Sequence, residues 1–217
     1  MILEPRHIEK HGYTVEVLKD RIYMVRDFLS EDEQAEILAI GEMADTSKWE
    51  SHYIENTKKF ALKKFGTDDI ESLVRDGKYE ITSNWIDKVL KIEDNTISKN
   101  LTERLQKLFE DLDHLDVNGV GILQRQYEGV PLKAHVDNHT DPSLEYASVI
   151  YVNDDYVDGE VYFTHKGVKL KPPARALLLF PTDEEYLHGT EAPGKGPIRY
   201  VMPSFIAKKN FYENNKF

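Results

Sequence analysis

Two histidines and one aspartate are the residues of this chain best suited to hold a metal: His135 and Asp137, in the triplet His135-Val136-Asp137, and His188 further along, with Arg199 after it. Two neutral imidazoles and a carboxylate make the facial set that binds non-haem Fe(II) and leaves coordination positions open for oxygen and a co-substrate. In an extended strand the side chains at i and i+2 leave the backbone on one face, so His135 and Asp137 can converge on one ion while Val136 points away. Short His/Asp patterns also arise by chance on solvated loops, so the surroundings decide what the triplet means. His139 stands four residues after His135, the spacing of a helical zinc pair. The glutamate of an H-E-x-x-H motif is absent, however, and Pro131 and Pro142 oppose a helix there, so His139 reads as a loop residue near the site entrance. His165 reads as hairpin surface, and His7, His11, His52 and His114 have no ligand-like context.

The elements that must position these residues are strands. Residues 147–153, 175–181 and 198–206 are short, rich in β-branched or aromatic residues, and separated by Gly, Pro and Asp turns. Asp158-Gly159 and Lys166-Gly167 are good turn pairs, because glycine accepts the positive φ of a tight turn. Short strands at near-even spacing suit a jelly roll or barrel whose inward faces line a site. The N-terminal half differs. Arg21 to Phe28 reads as a strand, and Ser30 to Glu33 is a capping box opening a helix through about Ala44. A second helix is marked by Ile97, Leu101, Leu105, Leu108, Phe109 and Leu112 at three- and four-residue spacing, an apolar stripe that needs a sheet to cover. The expected fold is α+β, a β core flanked by N-terminal helices.

From about Gly119 to Lys208 the sequence resembles the catalytic double-stranded β-helix (jelly-roll) of the 2-oxoglutarate- and Fe(II)-dependent dioxygenases, and among them the prolyl 4-hydroxylase-like branch. Four ordered segments carry the resemblance. Gln126-Tyr127-Glu128-Gly129 leads into the His135-Val136-Asp137 strand. Tyr151-Val152-Asn153 and Asp158-Gly159-Glu160-Val161-Tyr162-Phe163 are similar to that branch's "Y-L-N … G-G-E-L-x-F" hairpin. Arg175 to Pro181 matches the strand before the distal histidine, and Gly196-Pro197-Ile198-Arg199-Tyr200-Val201 matches the closing strand. Asp158 replaces the first glycine of the usual Gly-Gly and Val152 the usual leucine, departures that bear on subfamily more than on chemistry. The resemblance implies one domain over 1–217, with 1–116 as helix-and-strand support and 117–208 as the catalytic β-helix.

The resemblance also implies roles. His135, Asp137 and His188 would hold Fe(II), 2-oxoglutarate would be the co-substrate and O2 the oxidant, with ascorbate as reductant. Arg199 would take the distal carboxylate of 2-oxoglutarate, with Tyr127 and Tyr151 as hydrogen-bonding phenols and Thr190 lining the co-substrate pocket. The implied reaction couples decarboxylation of 2-oxoglutarate, to succinate and CO2, with hydroxylation of proline in a peptide or protein. Two alternatives stay open: the same chemistry on a free amino acid or other small molecule, and a non-catalytic metal-binding jelly roll of cupin type, against which Arg199 argues.

Composition sets the outer limits. A net charge of −11 disfavours nucleic acid as a partner, since phosphate binding needs a basic footprint. It makes a basic or proline-rich peptide electrostatically reasonable. The cluster Lys58-Lys59-Phe60 and Lys63-Lys64-Phe65 reads as a solvated face with buried phenylalanines. No run approaches the roughly 18 apolar residues of a membrane span, and the first residues lack the layout of a secretory signal. Zero cysteines excludes disulfides and thiolate metal sites and fits a cytoplasmic protein. Residues 45–80 are a lid candidate, because relatives often place a mobile segment there.

Overall fold

The computed structural model describes residues 6–51, 65–67, 69, 72, 73, 76, 88–92, 95–139 and 141–211. Most of the lid candidate, and the Lys58 to Lys64 cluster, lie outside the described residues. Among the described residues no helix is long and apolar enough to cross a membrane.

The chain folds as mostly antiparallel β-structure in two facing sheets. The strands are β1 (Arg6–Lys10), β2 (Tyr13–Lys19), β3 (Ile22–Val25), β4 (Glu50–Ser51), β5 (Lys88–Lys91), β6 (Leu115–Val117), β7 (Ile122–Gln126), β8 (Leu132–His135), β9 (Leu144–Tyr151), β10 (Val161–Phe163), β11 (Val168–Leu170), β12 (Leu177–Pro181), β13 (His188–Thr190) and β14 (Arg199–Lys208). The larger sheet runs β1-β2-β3-β12-β9-β14-β7-β5-β4, with β6 also on β14, and the smaller runs β11-β10-β13-β8. From β7 onward the chain passes back and forth between the two sheets, which is the winding of a jelly roll.

One correction follows from this winding. β9 and β10 were expected to form a hairpin, yet β9 belongs to the larger sheet and β10 to the smaller. The segment 152–160 therefore crosses between sheets. Asp158 and Gly159 do turn there, both at positive φ, but Asp158 bridges to Pro193 instead of closing a hairpin. Lys166-Gly167 does close one, joining β10 to β11 with Gly167 at φ +60°.

The period-two pattern of the strands divides their side chains between an inner and an outer face. On β14, Tyr200, Met202 and Ile206 join an outer apolar cluster, while Arg199, Val201, Pro203 and Phe205 turn inward. β12 is buried on both faces, so it reads in sequence as an unbroken apolar run, Leu177-Leu178-Leu179-Phe180.

Two helices contribute to the outer cluster: α1 (Glu31–Met43), through Ile37, and α2 (Thr96–Leu108), through Ile97, Leu101, Leu105 and Leu108. The expected capping box is present. Ser30 Oγ accepts from the Glu33 amide at 3.2 Å, and the Ser30 amide donates to Glu33 Oε2 at 2.9 Å. Glu33 Oε1 also pairs with Arg104 on α2 at 2.6 Å, which ties the helices together. Gly41 lets α1 lie close to the sheet, since a Cβ there would stand 3.0 Å from both Leu123 and Tyr200. α2 stops at Leu108, short of Leu112, because the chain turns at Phe109. The spacing runs on because Phe109 and Leu112 still pack on the same cluster. The N-terminal hairpin β1–β2 was not expected. β1 is an exposed edge strand without apolar alternation, and its turn, His11-Gly12, takes positive φ at both residues.

Candidate metal and carboxylate site

His135 ends β8 and His188 opens β13, and these antiparallel strands pair the two residues directly. Their rings lie 4.4 Å apart between centroids. Asp137 joins them by a route other than strand alternation. The strand stops at His135, and Asp137 begins a 3-10 turn, Asp137–His139, pinned by a hydrogen bond from the Asn138 amide to the Thr182 carbonyl at 3.3 Å. His135 Nε2 is 3.3 Å from Asp137 Oδ1 and His188 Nε2 is 3.7 Å from Asp137 Oδ2. One ligand atom from each of the three residues lies within 4.8 Å of the others.

The tautomers follow from the partners. His135 Nδ1 is 2.9 Å from the Lys133 carbonyl and His188 Nδ1 is 3.0 Å from the Tyr186 carbonyl. A carbonyl only accepts, so each Nδ1 carries the proton and each Nε2 is left facing Asp137. Metal-binding histidines are commonly held this way, with the second nitrogen donating to a fixed acceptor. Burial pushes the His188 pKa down to about 4, so at neutral pH its Nε2 keeps its lone pair. Burial opposes protonation of His135 as well, but the adjacent Asp137 carboxylate outweighs it and raises that pKa. Two imidazole nitrogens and a carboxylate turned toward one point call for a cation among them. The donor set fits Fe(II) without thiolate or further carboxylate ligands. Phe180 meets the His188 ring edge-on at 4.5 Å, and Phe163 lies 5.8 Å away, which fixes the imidazole plane.

The triad opens into a cavity of about 340 Å³ between the two sheets, and Arg199 lines the same cavity. Arg199 is 4% exposed. Its Nη1 donates to Gln126 Oε1 at 2.7 Å, the residue opposite it on β7. Among the described residues its Nε has no hydrogen-bond partner and no carboxylate lies within ion-pair range of the guanidinium. A buried cation left without a counter-charge costs several kcal/mol, so the position calls for an anion. The site thus pairs a cation-seeking triad with an anion-seeking arginine across one cavity.

Tyr151 and Thr190 line this cavity. Tyr151 is buried with its ring centroid 5.1 Å from the Arg199 guanidinium carbon, and burial pushes its pKa up to about 12, so its hydroxyl remains a donor. Tyr127 is placed elsewhere. On β7 the residues Ile122, Gln124 and Gln126 face the cavity, and the alternation turns Arg125 and Tyr127 outward. The Tyr127 ring packs under the Arg125 guanidinium, which also lies over Trp49. Gln126, which the sequence reading passed over, holds Arg199 instead. Its Nε2 donates to the Val130 carbonyl at 2.6 Å, leaving Oε1 to accept from Arg199. The parity of β7 was the signal that could have found it. His139 is exposed and pairs with Glu184 at 2.5 Å.

Gly189, between His188 and Thr190, was also missed. A Cβ there would stand 2.5 Å from the Tyr162 hydroxyl and 2.6 Å from the Leu132 carbonyl. Tyr162 can swing away, but Leu132 is backbone of β8, the strand that carries His135. Gly189→Ala should therefore push β8 from β13, costing about 1–3 kcal/mol of stability and loosening the two histidines. Thermal unfolding and a metal titration would check this, and Tyr162→Ala should fail to rescue it.

No protein-family model matches the sequence, and no curated protein matches it. Solved structures do. A prolyl hydroxylase from Trichoplax adhaerens, in complex with a hypoxia inducible factor oxygen degradation domain peptide fragment, superposes with a TM-score of 0.67 at 15% identity, over 92% of this chain and 89% of that one. The viral collagen prolyl hydroxylase of Paramecium bursaria Chlorella virus-1, in its 2-oxoglutarate complex, superposes with a TM-score of 0.55 at 15% identity, over 88% and 97%. Over nearly the whole length of both relatives, the chain shares the fold of these two prolyl hydroxylases.

Proposed function

We propose that the protein is a 2-oxoglutarate- and Fe(II)-dependent hydroxylase acting on proline in a peptide or protein. The observation that carries this reading is the buried Arg199, without a carboxylate partner among the described residues, facing the same cavity as His135, Asp137 and His188. A metal triad alone would serve a binding protein; a triad and an anion seat across one cavity suit a co-substrate with a carboxylate at its far end.

In this reading His135 Nε2, the Asp137 carboxylate and His188 Nε2 hold Fe(II), which when bound supplies oxygen chemistry coupled to the decarboxylation of 2-oxoglutarate. The protein's own residues do the rest by binding and orientation. Arg199 offers its fork to the distal carboxylate, Gln126 holds the guanidinium in plane, and Tyr151 adds a donor whose proton burial retains. Val161, Phe180 and Val201 are buried apolar residues of the cavity wall and exclude water from it. The cavity is also lined by Asn118, Gln124, Pro203 and Phe205, amide and apolar surfaces that suit an uncharged stretch of chain. The fold shared with two prolyl hydroxylases supports proline as the target.

The test is succinate formation by Fe(II)-loaded protein with 2-oxoglutarate, ascorbate and oxygen, with and without a panel of proline-rich peptides. Succinate should rise with a peptide that gains one oxygen atom, and should vanish in His188→Ala. Wild-type protein that forms no succinate and binds no 2-oxoglutarate would overturn the reading.

A further inference from the structure

Tyr156 lies in the segment that crosses from β9 to β10, is 1% exposed, and is held on several sides. The Lys171 ammonium sits 4.4 Å from its ring centroid and bonds to its carbonyl, and the position of a Cβ on Gly159 is 3.2 Å from the ring edge. The Arg199 guanidinium carbon is 5.8 Å from the ring centroid, so Arg199 lies near both the Tyr151 and Tyr156 rings. Apart from the Lys171 bond to the carbonyl, these contacts use the ring. Among the described residues the buried hydroxyl makes no well-formed hydrogen bond, and Arg199 is the donor beside it.

That hydroxyl is a cost that packing does not explain. A buried polar group without a partner costs about 1–3 kcal/mol, and phenylalanine would fill the same space without it. Arg199 Nε, in the side chain next to the Tyr156 ring, is another buried group of this kind. A guanidinium N–H donates and a phenol oxygen accepts, so the two are complementary. Gln126 takes one proton of the fork, and a carboxylate in the cavity would take two more.

We propose that Tyr156 is a positioning residue for the co-substrate carboxylate: its hydroxyl accepts from Arg199 when the carboxylate docks, and so locks the guanidinium plane toward the cavity. The inference rests on the functional reading above, which makes Arg199 the carboxylate seat. Tyr151 touches the ligand directly from the cavity wall, whereas Tyr156, which does not line the cavity, acts through Arg199.

The experiment is calorimetric titration of 2-oxoglutarate into Mn(II)-loaded wild type, Tyr156→Phe, Arg199→Lys and the double variant, with melting temperatures of the ligand-free proteins. Tyr156→Phe should weaken binding about tenfold, as loss of one charge-assisted hydrogen bond does, and should leave the ligand-free melting temperature unchanged or higher. In turnover its KM for 2-oxoglutarate should rise by about the same factor while kcat and the KM for peptide hold. In the Arg199→Lys background the Phe substitution should add nothing. Binding by Tyr156→Phe equal to wild type would overturn this role and leave the functional reading standing. Weaker binding accompanied by a lower ligand-free melting temperature would assign the tyrosine to packing and overturn it too. A wild type that binds no 2-oxoglutarate would overturn both.

Discussion

Asp137→Ala is expected to abolish turnover and metal binding while leaving the fold intact. The expectation rests on where Asp137 sits relative to what holds the site together. Its carboxylate stands 3.3 Å from one imidazole and 3.7 Å from the other, and it is the charged member of the triad. Without it, two neutral rings 4.4 Å apart remain in a largely apolar pocket, a poor place for a dication. Losing a group that merely orients a ligand weakens metal binding about 10- to 100-fold. Losing the anionic ligand itself should exceed that range. The fold should survive because the ligands are brought together by the pairing of β8 with β13 and by the Asn138–Thr182 hydrogen bond, to which the Asp137 side chain does not contribute. Titration with Fe(II) under nitrogen, circular dichroism and succinate formation together check it. Retention of full activity would show the metal assignment to be wrong.

Arg199→Met should move binding and stability in opposite directions. Methionine keeps much of the length and apolar volume of the arginine and discards a buried charge that no carboxylate among the described residues offsets. Each hydrogen bond to a charged partner contributes roughly 1.5–3 kcal/mol. Two of them removed from a docked carboxylate should weaken 2-oxoglutarate binding by at least about 100-fold. The ligand-free protein should melt at the same temperature or higher, because uncompensated buried charge is destabilising. A structural arginine would behave otherwise, its loss lowering stability and binding together. Melting curves with and without 2-oxoglutarate separate the cases: wild type should be stabilised by the ligand and the variant should not.

The parts of this architecture legible in the sequence were those set by local chemistry. Ser30 and Glu33 announce a helix start because a capping box is complete within four residues. β12 and β14 were legible because burial leaves an apolar run. The four residues with the strongest chemical character, His135, Asp137, His188 and Arg199, do meet in one cavity. What escaped depended on partners distant in the chain. Tyr127 and Gln126 are neighbours in sequence, and only the pairing of β7 with β14 decides which of them faces Arg199. Gly189 looks like an ordinary glycine until β8 and the Tyr162 side chain are packed against it. β1, exposed along an edge, carries no alternation for a reader to find. The supposed hairpin of β9 and β10 failed because a turn pair reports local φ and is silent on which sheet the next strand joins.

The two histidines are oriented by carbonyls of their own strand or turn, two residues back, at Lys133 and Tyr186. Every amino acid supplies a carbonyl, so the proton bookkeeping of the triad is insulated from substitution at 133 and 186. Sequence can drift there without altering which nitrogen is offered to a metal. The vulnerable information is conformational: whatever bends the backbone at these two places, rather than whatever alters its side chains, would misaim the imidazoles. Relatives could thus diverge widely around the site and still present the same pair of nitrogens.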